Sequence, residues 1–123
     1  MAFISKKILV IEDENILSNT LKLKLPQLKY EVIVAYKSET ALNYLMFNSF
    51  KLVILNLIKN SENGFNILKH IKENGVEVPI YFVFNEYDKN YIGKVKSQGI
   101  SEYIIRSEDF LSQILAYIEK HVK

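Results

Sequence analysis

The sequence contains no cysteine and only one arginine, Arg106. Without cysteine the chain forms no disulfides, and thiolate catalysis and thiolate metal sites are excluded. No apolar run approaches the roughly 20 residues that a membrane-spanning helix needs. The first five residues are followed too soon by Lys6 and Lys7 to form a secretory signal. We therefore expect a cytoplasmic protein that does not engage a membrane.

The charge of the chain is small and evenly spread. A formal net charge of +2 gives no reason to expect a nucleic-acid partner, and the lysines lie mostly beside helical apolar residues, as on solvated faces. The length of 123 residues fits one domain with one core. Since no repeat or Pro/Gly/Ser-rich linker interrupts the chain, we expect a single domain over 1–123.

Two kinds of segment alternate along the chain. Nearly unbroken apolar runs rich in β-branched and aromatic residues predict buried strands at 7–11, 32–35, 52–55, 80–84 and 103–105. Between them, apolar residues at helical spacing predict helices at 15–25, 38–46, 65–71, 91–95 and 110–118. Ser38 and Ser107 are the predicted caps of the second and last helices, with Glu108 and Asp109 in the first turn of the last. This alternation predicts a parallel sheet with helices on both faces, a three-layer α/β fold.

In open sheets of this kind, ligands bind beyond the carboxyl ends of the strands. Glu12, Asp13 and Glu14 follow the first strand, and such a cluster either is solvated or holds a hard cation such as Mg²⁺. A nucleotide cradle lacks its glycine-rich loop here. His70 and His121 have no acidic or nucleophilic neighbours in sequence and are expected to be surface or half-buried helix residues.

Four fragments in order carry a family resemblance. The first strand ends in the acidic residues 12–14. The third strand ends in Leu55-Asn56-Leu57, with Gly64 and Phe65 downstream. Val78-Pro79-Ile80 enters the fourth strand, and residues 98–104 lead into the fifth. Together they cover essentially the whole chain. The sequence resembles the receiver domains of response regulators in two-component signalling, which implies a flavodoxin-like sheet of strand order 2-1-3-4-5 with five helices.

The resemblance also implies a site. Receivers take a phosphoryl group from a histidine kinase onto an aspartate at the end of strand three. They hold Mg²⁺ with an acidic pair, that aspartate and a nearby backbone carbonyl. A Ser/Thr after strand four and a Lys after strand five bind the phosphoryl oxygens, and an aromatic residue on strand five moves with the Ser/Thr. The corresponding residues here are Glu12 and Asp13 for the acidic pair, Asn56 for the acceptor, Phe84 for the Ser/Thr, Arg106 for the Lys and Tyr103 for the switch aromatic.

Several of these positions depart from the family pattern. The carboxamide of Asn56 is not a usable nucleophile for an acyl phosphate and brings no charge for Mg²⁺, and Phe84 cannot hydrogen-bond a phosphoryl oxygen. Asn60 and Ser107 stand where the family usually has proline, so a trans Arg106–Ser107 bond is expected. Arg106 keeps a positive charge, and we expect it to pair with Asp13 or Glu12.

Three functions remain open. The first is a degenerate receiver that needs no cofactor and binds a histidine kinase, an output protein or itself without phosphorylation at Asn56. Its expected surface is residues 88–122, with these nearby side chains: Tyr87, Tyr91, Lys94, Tyr103, Phe110 and Tyr117. The second is a receiver switched by another modification, with Ser61 and Ser107 as candidates, or by a small ligand at Glu12, Asp13 and Arg106. Separately, the resemblance leaves Glu12 and Asp13 as a weak Mg²⁺ site. The third is a small flavodoxin-like enzyme or nucleotide binder, against which the missing phosphate loop counts.

Overall fold

The structure, a computed structural model, describes residues 5–58 and 62–123. Asn60 and Ser61, two of the residues singled out above, lie outside the described residues. The strands are β1 (Lys6–Glu12), β2 (Tyr30–Ala35), β3 (Leu52–Asn56), β4 (Ile80–Phe84) and β5 (Glu102–Ile105). The helices are α1 (Ile16–Lys24), α2 (Ser38–Phe47), α3 (Glu62–Glu73), α4 (Lys89–Lys96) and α5 (Phe110–His121).

All five strands run parallel in the order β2-β1-β3-β4-β5, which confirms the predicted doubly wound sheet. The two middle strands β3 and β4 are buried at every residue, as continuous apolar runs require. The order reverses at β1, which lies between β2 and β3. The carboxyl ends of β1 and β3 therefore meet at the topological switch point, where a ligand site is expected.

Successive residues of each strand point to opposite faces of the sheet and build two separate cores. Leu9 and Ile11 of β1 join the core that α2, α3 and α4 cover. Ile8 and Val10 join the core that α1 and α5 cover. Both layers are packed on the same strand, so the residues that follow it leave a strand covered on both faces.

Both predicted serine caps are wrong. Ser38 is the first residue of α2, and the cap position belongs to Lys37, with no side-chain cap hydrogen bond. The last helix begins only at Phe110, after Asp109, so Glu108 and Asp109 precede it. The Ser107 hydroxyl instead donates to Asp109 Oδ1 at 2.8 Å, a hydrogen bond within the loop that precedes the helix.

Close packing explains the glycine of the acceptor-loop fragment. A Cβ on Gly64, at the start of α3, would lie 2.7 Å from the ring carbon Cζ of Phe82 in the core. Any larger residue would require the Phe82 ring or the start of α3 to move. Two other glycines, Gly75 and Gly99, follow α3 and α4 with φ of 71° and 88°, a left-handed conformation that ends helices and favours glycine.

Two backbone features concern the earlier expectations. Every peptide bond described is trans, including the one between Arg106 and Ser107, as expected. Within residues 5–58 and 62–123, none of the helices has the length and apolar character that spanning a bilayer requires.

Candidate functional site

The strand ends bring the acidic pair and the acceptor position together, as predicted. Glu12 at the end of β1 lies directly opposite Asn56 at the end of β3 in the sheet register. Both side chains are fully buried. The edge then continues through Phe84 on β4 to Arg106 after β5. Buried polar groups at such an edge need partners, so their hydrogen bonds decide what the site can do.

Arg106 binds Asn56. Its Nη2 donates a hydrogen bond to Asn56 Oδ1, its backbone N–H donates to Phe84 O at 2.7 Å, and its guanidinium carbon lies 4.2 Å from the centre of the Phe110 ring. We had expected Asp13 or Glu12 as its partner. Because β4 and β3 lie between Arg106 and β1, the guanidinium meets the amide of Asn56 before it could reach Glu12.

The carboxylates act on Arg106 over a longer range. Burial lowers the pKa of the Arg106 guanidinium, and the negative charges of Glu14, Asp13 and Glu12 partly offset that effect. Arginine nevertheless stays protonated in proteins, so Arg106 is cationic. The site therefore contains a fixed positive charge of its own, held between an amide oxygen and an aromatic ring.

The buried carboxyl of Glu12 destabilises the folded state when it is ionised. Burial raises the pKa of its carboxyl above the ordinary value, Ser18 and Asn56 lower it in part, and the charge of Asp13 raises it further. Ser18 and Asn56 lie close enough to act on that pKa, but neither Glu12 oxygen makes a hydrogen bond of acceptable geometry with the described residues. A buried carboxylate without a firm partner destabilises the fold when it is ionised.

A pH dependence of stability follows from this arrangement. The raised pKa means that the folded state binds the Glu12 proton more tightly than the unfolded state does. The folding penalty is therefore absent below the ordinary value of 4.5 and grows as pH rises through the folded pKa. We expect Glu12→Gln to raise the free energy of unfolding at pH 7 by on the order of 1 kcal/mol. Urea unfolding of both proteins from pH 4 upwards checks this, and a pH-independent difference between them would contradict it.

Phe84 fills the place where the family has a hydroxyl. It is buried, and its ring contacts three other aromatic rings with centroid distances of 4.7 Å to Phe82, 5.7 Å to Tyr91 and 5.6 Å to Tyr103. The last two contacts are edge-to-face, a favourable geometry. The switch-aromatic position is therefore packed against an apolar ring, and Phe84 offers no donor to a phosphoryl oxygen.

Asn85 is a site residue that our sequence reasoning missed. Its Nδ2 donates to Leu57 O at 3.1 Å and to Ile58 O at 3.0 Å, which ties the end of β4 to the loop after β3. The same loop is held from the other side, because Ile58 N donates to Asp13 Oδ1 at 2.9 Å. The signal was available, since a polar residue directly after a buried strand lies at the same edge as the other site residues.

The residues present fit a divalent cation poorly. Mg²⁺ prefers carboxylate and carbonyl oxygens. The Asn56 oxygen already accepts a hydrogen bond from Arg106, and the carbonyls of Leu57 and Ile58 accept hydrogen bonds from Asn85. The Glu12 oxygens, which have no hydrogen-bond partner among the described residues, therefore remain as the clearest metal ligands. In the described part of the chain, no group of three or more His, Cys, Asp or Glu could hold a metal. The positive charge of Arg106 further opposes a second cation.

Most aromatic side chains of the surface expected from residues 88–122 belong to the core, the more common arrangement for such a pattern. Phe110 is buried, and Tyr91, Tyr103 and Tyr117 are half-buried and packed against other rings. Only Tyr87, 70% exposed, projects into solvent next to this surface. The apolar periodicity of α4 and α5 thus reflects the core rather than an exposed aromatic patch.

Bacterial regulatory proteins resemble this chain over much of its length. The transcriptional regulatory protein DltR of Streptococcus agalactiae is 30% identical over 86 residues, which cover 68% of this chain and 38% of that protein. The response regulator ArlR of Staphylococcus saprophyticus is 27% identical over 117 residues, covering 93% of this chain and 53% of that protein. The chain thus spans about half the length, or less, of these relatives.

A solved structure and a family model agree with these relatives. The non-phosphorylated HemR receiver domain from Leptospira biflexa superposes with a TM-score of 0.79 at 28% identity, covering 97% of this chain and 95% of that one. The family model of the response regulator receiver domain matches residues 8–119. The strand order and the edge site described above occupy this same span. The chain belongs to the response regulator receiver domain family.

Proposed function

We propose that this receiver domain serves two-component signalling as a protein-binding module that is not phosphorylated at Asn56. One observation carries the proposal: the buried amide of Asn56 is hydrogen-bonded by Arg106 where the family has a reactive carboxylate. An amide offers no nucleophilic oxygen for acyl phosphate formation. The ring of Phe84 beside it cannot bind phosphoryl oxygens. The module is therefore not an enzyme, and it retains the fold for the surface that the fold presents.

The proposal extends to cofactors, partners and location. No cofactor is required, and any Mg²⁺ at Glu12 and Asp13 is held weakly, because Arg106 already supplies positive charge there. The partner is a protein of the same signalling class, a histidine kinase or an output protein, in the cytoplasm. We propose that the module binds neither nucleic acid nor a membrane. The proposed surface for that partner is residues 88–122, bordered by the exposed side chain of Tyr87.

The proposal predicts that the protein stays unmodified under phosphorylating conditions. Incubation with Mg²⁺ and acetyl phosphate should leave the intact mass unchanged, because Asn56 lacks the attacking carboxylate. In Asn56→Asp an adduct could form, but the amide spectrum should change little on phosphorylation, since Phe84 still offers no hydroxyl. The double variant Asn56→Asp/Phe84→Thr is the comparison that regains both groups.

Two results would contradict this proposal. A stoichiometric phosphate adduct on the unmodified sequence would place phosphorylation at another residue and reject a module that is not switched. Full phosphorylation-dependent switching in Asn56→Asp alone would show that Phe84 does not block the response. A beryllofluoride titration followed by amide shifts separates these outcomes, because it reports a phosphoryl-like site without requiring covalent transfer.

A specific observation supports a second candidate, a receiver switched by a small ligand. A cavity of about 460 Å³ opens beside Asp13, between the β2–α2 connection and α3. Its floor is apolar, formed by Leu57 and Ile67, and its wall carries Lys37 and His70. Pockets with an apolar floor and a few polar groups are common ligand sites. Ligand-induced shifts of these residues in a screen of small metabolites would favour this candidate over the first.

A further inference from the structure

The exposed apolar side chains of the protein are concentrated at one edge of the sheet. Seven large apolar side chains are exposed among the described residues, and six of them lie between residues 16 and 47, on α1, on α2 or on the connections that border β2. They are Ile16, Leu23, Leu28, Tyr36, Met46 and Phe47. Because α1 and α2 cover opposite faces of the sheet, these side chains flank the β2 edge from both sides. Exposed apolar side chains grouped around one edge indicate an interaction surface more than scattered single ones do.

The strand at that edge is itself open. β2 pairs only with β1, and its outer backbone groups face away from the sheet. It is six residues long, with half-exposed Val32, Ile33 and Val34 in its middle and a single charged residue, Glu31. Proteins usually protect such an edge with lysine, proline or a covering segment. The other edge strand, β5, is shorter, with four residues. β2 is therefore the edge that invites pairing.

The charges around β2 favour a second copy of this chain in antiparallel orientation. Exposed Lys29 and Glu31 stand at the start of the strand, and exposed Lys37 and Glu39 follow its end. In an antiparallel pair centred on Val34, Glu31 of one copy faces Lys37 of the other, because Lys37 still has an extended backbone with φ of −133° and ψ of 150°. A parallel pair would set like charges against each other, which is unfavourable.

A groove beside the strand offers a place for an apolar side chain of the second copy. It has a volume of about 330 Å³ and lies between α1 and β2, lined in part by Leu21, Leu25, Tyr30 and Val32. In this pairing Tyr36 of the second copy lies opposite Val32 at the border of the groove; its ring is 56% exposed, and its hydroxyl donates to Asn15 of its own chain. Aromatic side chains seated in such pockets are frequent anchors of protein interfaces.

From the open strand, the apolar border and the matching charges, we infer that two copies pair through their β2 edges and form one continuous ten-stranded sheet. The arrangement is two-fold symmetric, so each copy gives and receives the same contacts, and it closes after two subunits. The apolar residues on α1 and α2 cover the junction on both faces. This inference does not depend on the loss of phosphorylation at Asn56, and its interface is distinct from residues 88–122.

Sedimentation velocity of the full chain from micromolar to near-millimolar concentration tests the inference. We expect a reversible species of twice the monomer mass. Leu28→Glu, at a site 69% exposed, should weaken the dimer at least about tenfold by placing charge in an apolar interface. The matched control is Tyr87→Glu, at a site 70% exposed but away from β2, and it should leave the dissociation constant unchanged.

Charge reversal tests the antiparallel sense. Glu31→Lys should weaken dimerisation, and the double variant Glu31→Lys/Lys37→Glu should recover it. Hydrogen exchange adds a direct readout of the edge, because amides within Tyr30–Ala35 should gain protection with concentration while those of Glu102–Ile105 should not. A chain that remains monomeric throughout overturns the inference. So does a dimer that Tyr87→Glu breaks and Leu28→Glu does not, which would place the interface at residues 88–122.

Discussion

Replacing Phe84 by alanine is expected to lower the free energy of unfolding by about 3–5 kcal/mol, the range for removing a fully buried phenylalanine ring. The ring is 1% exposed and contacts Phe82, Tyr91 and Tyr103, so its loss leaves a cavity where β4, α4 and β5 meet. Urea unfolding measures the change. Tyr87→Ala is the control, because that side chain is exposed and should cost at most about 0.5 kcal/mol.

A second substitution at the same position tests whether Phe84 acts only through packing. If Phe84 only fills space, Phe84→Leu should recover most of the stability and leave the rest of the protein unaffected. A Phe84→Ala protein as stable as the parent would contradict the role of this ring as the centre of the cluster. It would mean that the neighbouring rings collapse into the space without cost, which close-packed interiors seldom allow.

Removing Arg106 should produce the second large effect. In Arg106→Ala, the buried Asn56 oxygen loses its donor, the Phe110 ring loses the stacked guanidinium, and three carboxylates lose the nearby positive charge. We expect a loss of about 1.5–3 kcal/mol in the free energy of unfolding. The free energy of unfolding of Arg106→Lys should lie between those of the parent and of Arg106→Ala, because lysine keeps the charge but not the planar guanidinium. Lys89→Ala, at an exposed position, serves as the control.

Arg106→Ala also bears on the cation. With the guanidinium gone, Glu12, Asp13 and Glu14 have less positive charge near them, so Mg²⁺ should stabilise this variant more than the parent. A ligand at ten times its dissociation constant adds about 1.4 kcal/mol to the folded state. Thermal unfolding with and without Mg²⁺ gives the comparison. An equal response in both proteins would reject the view that Arg106 takes the place of a cation.

The fold was largely predictable from the sequence because burial on both faces leaves a strong pattern. Continuous apolar runs predicted every strand within two residues of its observed bounds, including Ile80–Phe84 without error. The helix starts were less predictable, since a serine near a boundary can bond within its loop, as Ser107 does with Asp109. Local competition of this kind leaves no signal in the spacing of apolar residues.

The site was predictable in position but not in its contacts. Parallel strands bring their carboxyl ends to one edge, so Glu12, Asn56 and Arg106 could be placed there from sequence. Which acceptor Arg106 reaches depends on the strand order between them, and only the structure shows that Asn56 is nearer than Glu12. The spacing of apolar residues in α4 and α5 likewise gave no distinction between rings in the core and rings on the surface.

The ring cluster around Phe84 also bears on how such a protein would convey information. Tyr103 is packed edge-to-face against Phe84 with a centroid distance of 5.6 Å, and the ammonium of Lys96 lies 5.5 Å from the centre of the Tyr103 ring. In the proposed module, a surface braced in this way keeps one shape and does not switch between two. Under the proposed function, the occupancy of its partner would then follow the amount of protein in the cell, and control would pass from chemical modification to synthesis and degradation.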